Sequence, residues 1–182
     1  MTKLTRSALS YSAALDGELR DLADELTRIG SIGTVLSLDD GDVVTNYLAL
    51  DVIVARPRLL HRIAMAFVPY LDAQCERIAV ASPLAIAIGA ALALETYIPL
   101  VVVGPRPETR VRGNHRPGER VTLIEDQVLT GRSARSTVEM LRGDGLEVAN
   151  VIALLHRSDR AETQLDGAGV GYRALLAPSL SA

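Results

Sequence analysis

"VTLIEDQVLTGRSARSTVEML" spans Val121 to Leu141. A mostly apolar run leads into two adjacent acids, Glu125 and Asp126, then into a short polar loop and a segment with helical character. The apolar run reads as a buried strand, yet acids are poor strand residues. A reason is needed for the strand to end on a carboxylate pair directly before Thr130-Gly131-Arg132-Ser133. The segments on either side decide the fold. Downstream, "EVANVIALLH" and "YRALL" read as strands around a short helix in "DRAETQLDGAG". Upstream, "RIAVA" and "PLVVVG" read as strands around an almost wholly apolar helix, "PLAIAIGAALALET", opened by a proline at a tolerated first-turn position. Alternating strands and helices predict an α/β fold, a mainly parallel central sheet with helices on both faces. The unbroken apolar runs fit a sheet buried on both sides.

The first 50 residues read differently. Leu15, Leu19, Leu22, Leu26 and Ile29 recur at helical spacing. "TVLSL" and "VVTNYLALDV" read as two strands joined by the turn Asp39–Asp42, an antiparallel hairpin. "RPRLLHRIAMAFVPYL" follows as an amphipathic helix with Leu60, Ile63, Phe67 and Leu71 on one face. The expected organisation is one domain over 1–182, with an N-terminal helix and hood hairpin over 1–50 and an α/β core over 51–182. "PRPETRVRGNHRPGE" reads as a polar loop between strands.

Composition narrows the function classes. The chain has 182 residues, 48% hydrophobic and 23% charged, with net charge -3, which argues against non-specific nucleic-acid binding. Cys75 is the one cysteine, so no internal disulfide forms, and a reducing, cytoplasmic setting is expected. His61, His115 and His156 are not at ligand spacing from one another or from the cysteine, which speaks against structural zinc. The N-terminal stretch shows no apolar core of a secretory signal. Ile78 to Gly104 is long enough to raise a membrane helix, but Ser82-Pro83 and Glu95 interrupt it, so a strand, a buried helix and a second strand are expected, and no membrane partner.

In open α/β sheets ligands bind beyond the carboxyl ends of the strands. Glu125 and Asp126 are expected there, and "QVLTGRS" opens a helix whose free N–H groups and partial positive charge suit a phosphate. Gly131 permits close backbone approach, while Thr130 and Ser133 add hydroxyl donors. Two carboxylates touching the phosphate would repel it, so they must face another part of the same ligand. Ribose hydroxyls are natural partners for ionised carboxylates. The stretch therefore asks for a ribose 5-phosphate.

This layout resembles the PRPP-binding motif of the type I phosphoribosyltransferases, in which a hydrophobic strand runs into two acids and a Thr/Gly-rich loop. "TNYLALDV", "IPLVVVG", "PGERVTLIEDQVLTGRSA", "ALLHRSDRAE" and "GVGYRALL" resemble, in order, segments of orotate phosphoribosyltransferases over roughly residues 15 to 178. The resemblance implies transfer of ribose 5-phosphate from PRPP to orotate or another nitrogen heterocycle, with release of diphosphate. It implies Mg²⁺ carried by PRPP, with no direct protein ligand, and a homodimer. Glu125 and Asp126 would be catalytic. Gln127, Val128, Leu129, Thr130, Gly131, Arg132 and Ser133 would join them in binding PRPP, and Arg157 would contact the base.

The chain also departs from that family. The mobile loop that supplies leaving-group cations reads approximately Arg-Lys-x-x-Lys-x-His-Gly; here "GPRPETRVRGNHRPGER" is shorter and has no lysine. Arg106 or Arg110 would have to supply the charge, and arginine is not equivalent to lysine. Where a Gly-Gly pair normally precedes the apolar helix, this chain has "ASPLAIAIG". The turn "DDGD" replaces an N-terminal lysine, and Leu129 a threonine near the base. Tyr47 and Asp51 fall in the family's Tyr/Asp-rich strand and read as structural. Three functions stay open: an active phosphoribosyltransferase, a PRPP- or nucleotide-binding regulator without turnover, and a protein that hydrolyses a nucleotide or binds a nucleoside monophosphate.

Overall fold

The computed structural model describes residues 17–26, 28–29, 36–37, 43–44, 50–104, 110–156 and 160–176. The chain divides into two compact units, 1–49 and 50–182. In the first, helix α1 covers 17–26 and 28–29 and buries Leu22 and Leu26. Strands β1 (Leu36–Ser37) and β2 (Val43–Val44) pair antiparallel, Leu36 opposite Val44. The hairpin expected from the sequence is present, but its second strand does not reach Val52. Leu50–Val54 is instead helix α2. Its β-branched residues favour strands, but α2 packs on two neighbouring helices and Ile53 is fully buried, so tertiary contact outweighs propensity. Arg56 closes it by donating from Nη1 to the Val52 carbonyl at 2.7 Å.

Helix α3 (Pro57–Phe67) starts on proline and buries Leu59, Ile63, Ala64 and Phe67. The face read from the sequence is shifted: Leu59 rather than Leu60 is buried, and a 3-10 turn over Val68–Tyr70 leaves Leu71 beyond the helix. The rest is a regular α/β succession. It runs through β3 (Arg77–Val80), α4 (Pro83–Thr96), β4 (Leu100–Val103), β5 (Val111–Arg112), β6 (Arg120–Val128), α5 (Arg132–Gly143), β7 (Glu147–His156), α6 (Arg160–Asp166) and β8 (Gly171–Leu176). The six strands lie in the order β5-β4-β3-β6-β7-β8. All neighbours are parallel except β5, which runs antiparallel to β4 inside the stretch expected to be loop. Two residues are too short a strand for periodicity to reveal.

From β3 the chain crosses by α4 to β4 on one side; from β6 it crosses by α5 to β7 on the other. Right-handed crossovers in opposite directions put α4 and α5 on opposite faces, and the strand order reverses between β3 and β6. The α5 and α6 face is filled by Ala79, Leu123, Val138, Leu141, Val151, Ala153, Ala161 and Leu165. Residues of the opposite parity, including Ile78, Val80 and Ile124, meet α3 and α4. The stretch that raised a membrane span is β3, α4 and β4, and among the described residues no helix is long and apolar enough to cross a membrane.

Helix α4 lies close to the sheet because Gly89 has no side chain. A Cβ there would sit 2.6 Å from Val80 Cγ1 and 3.0 Å from Leu100 Cδ1. Alanine is the better helix former by up to about 1 kcal/mol, but the overlap falls on a buried, β-branched neighbour, and overpacking costs about 1–3 kcal/mol. Gly89→Ala is therefore expected to lower stability by roughly 1–2 kcal/mol in urea unfolding. Combining it with Val80→Ala should cost less than the sum of the two single changes. Neutrality of Gly89→Ala would refute this account of the packing.

Candidate active site

The carboxylates lie within β6, not at its end. The strand continues to Val128, pairing Gln127 with Leu155 and Val128 with His156. Partners on both sides carry the ladder past the acids, which the apolar pattern alone could not show. Val128 is consequently a core residue, 3% exposed, and its side chain is turned into the α5 and α6 face. Glu125 and Asp126 are each 6% exposed. Adjacent strand residues point to opposite faces, and each acid meets different surroundings.

Asp126 turns toward α4. Its Oδ1 accepts a hydrogen bond from Ser82 Oγ at 2.8 Å, and Ser82 Oγ accepts from the Ala85 amide at 3.0 Å as the N-cap of α4. Ser82 follows β3, so this bond spans the point where strand order reverses. Glu125 turns toward α5 and α6. Its Oε1 has no hydrogen-bond partner, and burial, then the neighbouring Asp126 charge, pushes its carboxyl up to about 8. Behind it stands Tyr172 of β8, whose phenol is raised by burial and by the charges of Glu162 and Glu125. The Tyr172 hydroxyl lies 3.2 Å from His156 Nδ1.

The loop after β6 meets α5 at Gly131. This residue is the N-cap, with φ 83°, and no side chain caps the helix. A Cβ at Gly131 would come within 3.0 Å of the Ala161 Cα and of the Gln164 Cβ, so both the dihedral and the contact with α6 exclude larger residues. The first turn of α5 carries no acid and includes Arg132 and Arg135. Arg132 and Ser133 are exposed, and Leu129, Thr130 and Gln127 are half-buried. Uncapped amides, the helix dipole and Arg132 together form an electropositive start suited to a phosphate.

The structure thus gathers Glu125, Asp126 and the residues through Ser133 into one continuous run. It does not bring Arg110 to them. Gly104 donates to the Arg110 carbonyl at 2.9 Å across the β4–β5 hairpin. The Arg110 guanidinium lies beside Gly143, 3.7 Å from where a Cβ would stand, at the end of α5 opposite Arg132. Arg106 and Arg157 fall outside the described residues. Ser82 was missed as a site residue: Ser-Pro signals a helix start, but nothing local signals a partner 44 residues away. Among the described residues no group of three or more His, Cys, Asp or Glu gathers to hold a metal. An open cavity of about 560 Å³ lies at the other end of the sheet, lined by Gln74, Cys75, Glu76, Arg120 and Glu147. Arg120 there is already engaged by Asp72 at 2.8 Å.

No protein-family model matches the chain. The orotate phosphoribosyltransferase of Natronomonas pharaonis is 30% identical over 148 residues, 78% of this chain and 84% of that one. The chain belongs to the phosphoribosyltransferase family, alongside the orotate phosphoribosyltransferases. The Thermococcus kodakarensis orotate phosphoribosyltransferase is 36% identical over 83 residues, 43% of this chain, and there the match spans 45% of the relative's length. Among solved structures, Leishmania donovani UMP synthase superposes with a TM-score of 0.79 at 27% identity, over 87% of this chain and 36% of that one. Mycobacterium tuberculosis orotate phosphoribosyltransferase in complex with PRPP shares the fold, with a TM-score of 0.71 at 22% identity, over 88% of this chain and 96% of that one. The doubly covered, mostly parallel sheet is the type I phosphoribosyltransferase fold.

In this member of the family, the buried Glu125 also couples stability to pH. Its carboxyl titrates near 4.5 when free and near 8 when folded. Between these values the native state holds the extra proton, so stability is full below about pH 4.5 and falls as pH rises toward 8. Glu125→Gln should remove this slope: the variant should melt roughly 3 °C or more above wild type at pH 8.5 and gain little at pH 5. Parallel melting curves across that range would show that Glu125 is not held protonated.

Proposed function

We propose that the protein is a phosphoribosyltransferase that moves the ribose 5-phosphate of PRPP onto orotate or another nitrogen heterocycle. A bond forms from the base nitrogen to C1 of the ribose as the bond from C1 to diphosphate breaks. One observation carries the reading: a buried carboxylate pair in β6 leads, within one short loop, to the uncapped start of α5. Asp126 would accept hydrogen bonds from the ribose hydroxyls while its other contact holds it to Ser82. Glu125 would offer its proton or its unpartnered oxygen to the same sugar. The amides from Gly131 to Ser133, with Arg132 and Thr130, would cradle the 5-phosphate. Arg157 would contact the base, and Arg106 would supply the cation on the leaving-group side. The orotate phosphoribosyltransferases among the relatives support orotate, and the Mycobacterium tuberculosis enzyme in complex with PRPP supports PRPP.

Mg²⁺ belongs to the same reading, delivered on the diphosphate, whose charge it would screen. In this reading the two buried acids of β6 would be taken up by the sugar, leaving the ion to the diphosphate that carries it. A cytoplasmic homodimer completes the proposal, in keeping with the solitary Cys75 and the family resemblance.

A second reading has its own observation. The start of α4, on the leaving-group side, is partly closed: Ser82 occupies the Ala85 amide and Pro83 offers no N–H. A regulator that binds PRPP or a nucleotide without turnover is consistent with that closure. Titration of PRPP with Mg²⁺ into wild type and Asp126→Asn, followed by a base screen for diphosphate release, separates these cases. Asp126→Asn should weaken PRPP by about tenfold or more, the loss of a charge-assisted hydrogen bond, and wild type should release diphosphate with orotate. Undiminished PRPP binding by Asp126→Asn would remove the ribose from Asp126. Mutation-sensitive binding without diphosphate release for any base would establish the regulator.

A further inference from the structure

We infer that Ser82 is a positioning residue: it turns the N-terminus of α4 onto Asp126, so that this helix serves an internal carboxylate. The inference rests on the ribose reading given above and identifies what holds the sugar-binding acid in place.

Three features argue for it. Ser82 has one hydroxyl proton, and its oxygen already accepts the Ala85 amide at 3.0 Å. The proton is therefore directed along the 2.8 Å contact to Asp126 Oδ1. An amide donating to a hydroxyl that donates to a carboxylate forms a polarised chain, with each bond strengthening the next. Next, a residue needed only to cap α4 requires the Ala85 contact alone. The second contact joins the exit of β3 to the interior of β6, 44 residues on, across the strand-order reversal. Last, Asp126 is 6% exposed, and burial of a carboxylate is costly without a donor. The positive end of a 14-residue helix, reached through one hydroxyl, meets that need. With Pro83 giving no amide, little of that helix end remains for an external anion.

The test separates the sugar from the phosphate. Dissociation constants for ribose 5-phosphate and for inorganic phosphate are measured by calorimetry on the full chain, and their ratio reports what the sugar adds. Ser82→Ala and Ser82→Gly both remove the hydroxyl, but glycine is itself an acceptable N-cap, so it spares the helix start. Both should shrink the ratio about fivefold, the loss of about one hydrogen bond, with inorganic phosphate binding unchanged. Ser82→Thr, which keeps the hydroxyl, should restore the ratio. A ratio unchanged in Ser82→Gly, or equal weakening of both ligands, overturns the positioning role. Asp126→Asn is the control for the underlying reading. If it leaves the ratio intact, the ribose does not lie at Asp126, and the inference falls with that reading. If Asp126→Asn collapses the ratio while Ser82→Gly does not, the ribose reading stands and the inference alone fails.

Discussion

Removing two adjacent carboxylates from water is the most demanding constraint in this molecule. β6 is the strand through which both halves of the sheet are joined, with β3 on one side and β7 on the other. Its interior is where an ionised group is most costly. The two acids meet that cost differently because the pleat sends them to opposite faces. Asp126 is given a donor, Ser82, backed by the start of α4. Glu125 is given none at Oε1 and keeps its proton to about pH 8. Asp126 thus receives a hydrogen bond at Oδ1 while Glu125 Oε1 has no partner, although the two are equally exposed.

The topology places that pair where it is useful. Crossovers that leave β3 and β6 in opposite directions open the space above the carboxyl ends of those two strands. Ser82 leaves one and the Leu129–Gly131 loop leaves the other. The two helices that begin there are handled in contrasting ways. α5 starts on Gly131 with no side-chain cap and with arginines in its first turn, and Gly131 is confined by α6 as well as by its own φ. α4 starts on a serine whose hydroxyl is used twice and on a proline with no amide. One helix end is open to an anion and the other is committed to the protein's own acid. On the proposed reading the site is asymmetric, with the helix start that would take the 5-phosphate uncapped and the one that would face the leaving group capped by Ser82.

Much of this was legible in the chain. The helix Pro83–Thr96 and the strand Glu147–His156 match their expected limits, because a proline start and long apolar runs are local signals. The continuous run from Glu125 to Ser133 was legible for the same reason, since its acids and its loop are neighbours in sequence. Expectations failed where a distant partner overrides local preference. Val52 lies in a helix because α2 packs on α3 and α4, and Val128 lies in the strand because β7 continues beside it. Arg110 could be counted as a cation from the sequence, but its direction depends on a two-residue strand that no periodicity reveals.

The sequence by itself determined the alternation of strands and helices, the apolar content that buries the sheet on both faces, and the acid pair followed by a glycine-bearing loop. Those properties belong to short windows, in which side-chain spacing and backbone preference act directly. Only the tertiary structure decided that Glu125 keeps its proton to about pH 8, which helix start lacks a side-chain cap and which residue donates to Asp126. Each of these depends on groups brought together from separate strands, and the energy of a buried charge is set by whatever surrounds it in space.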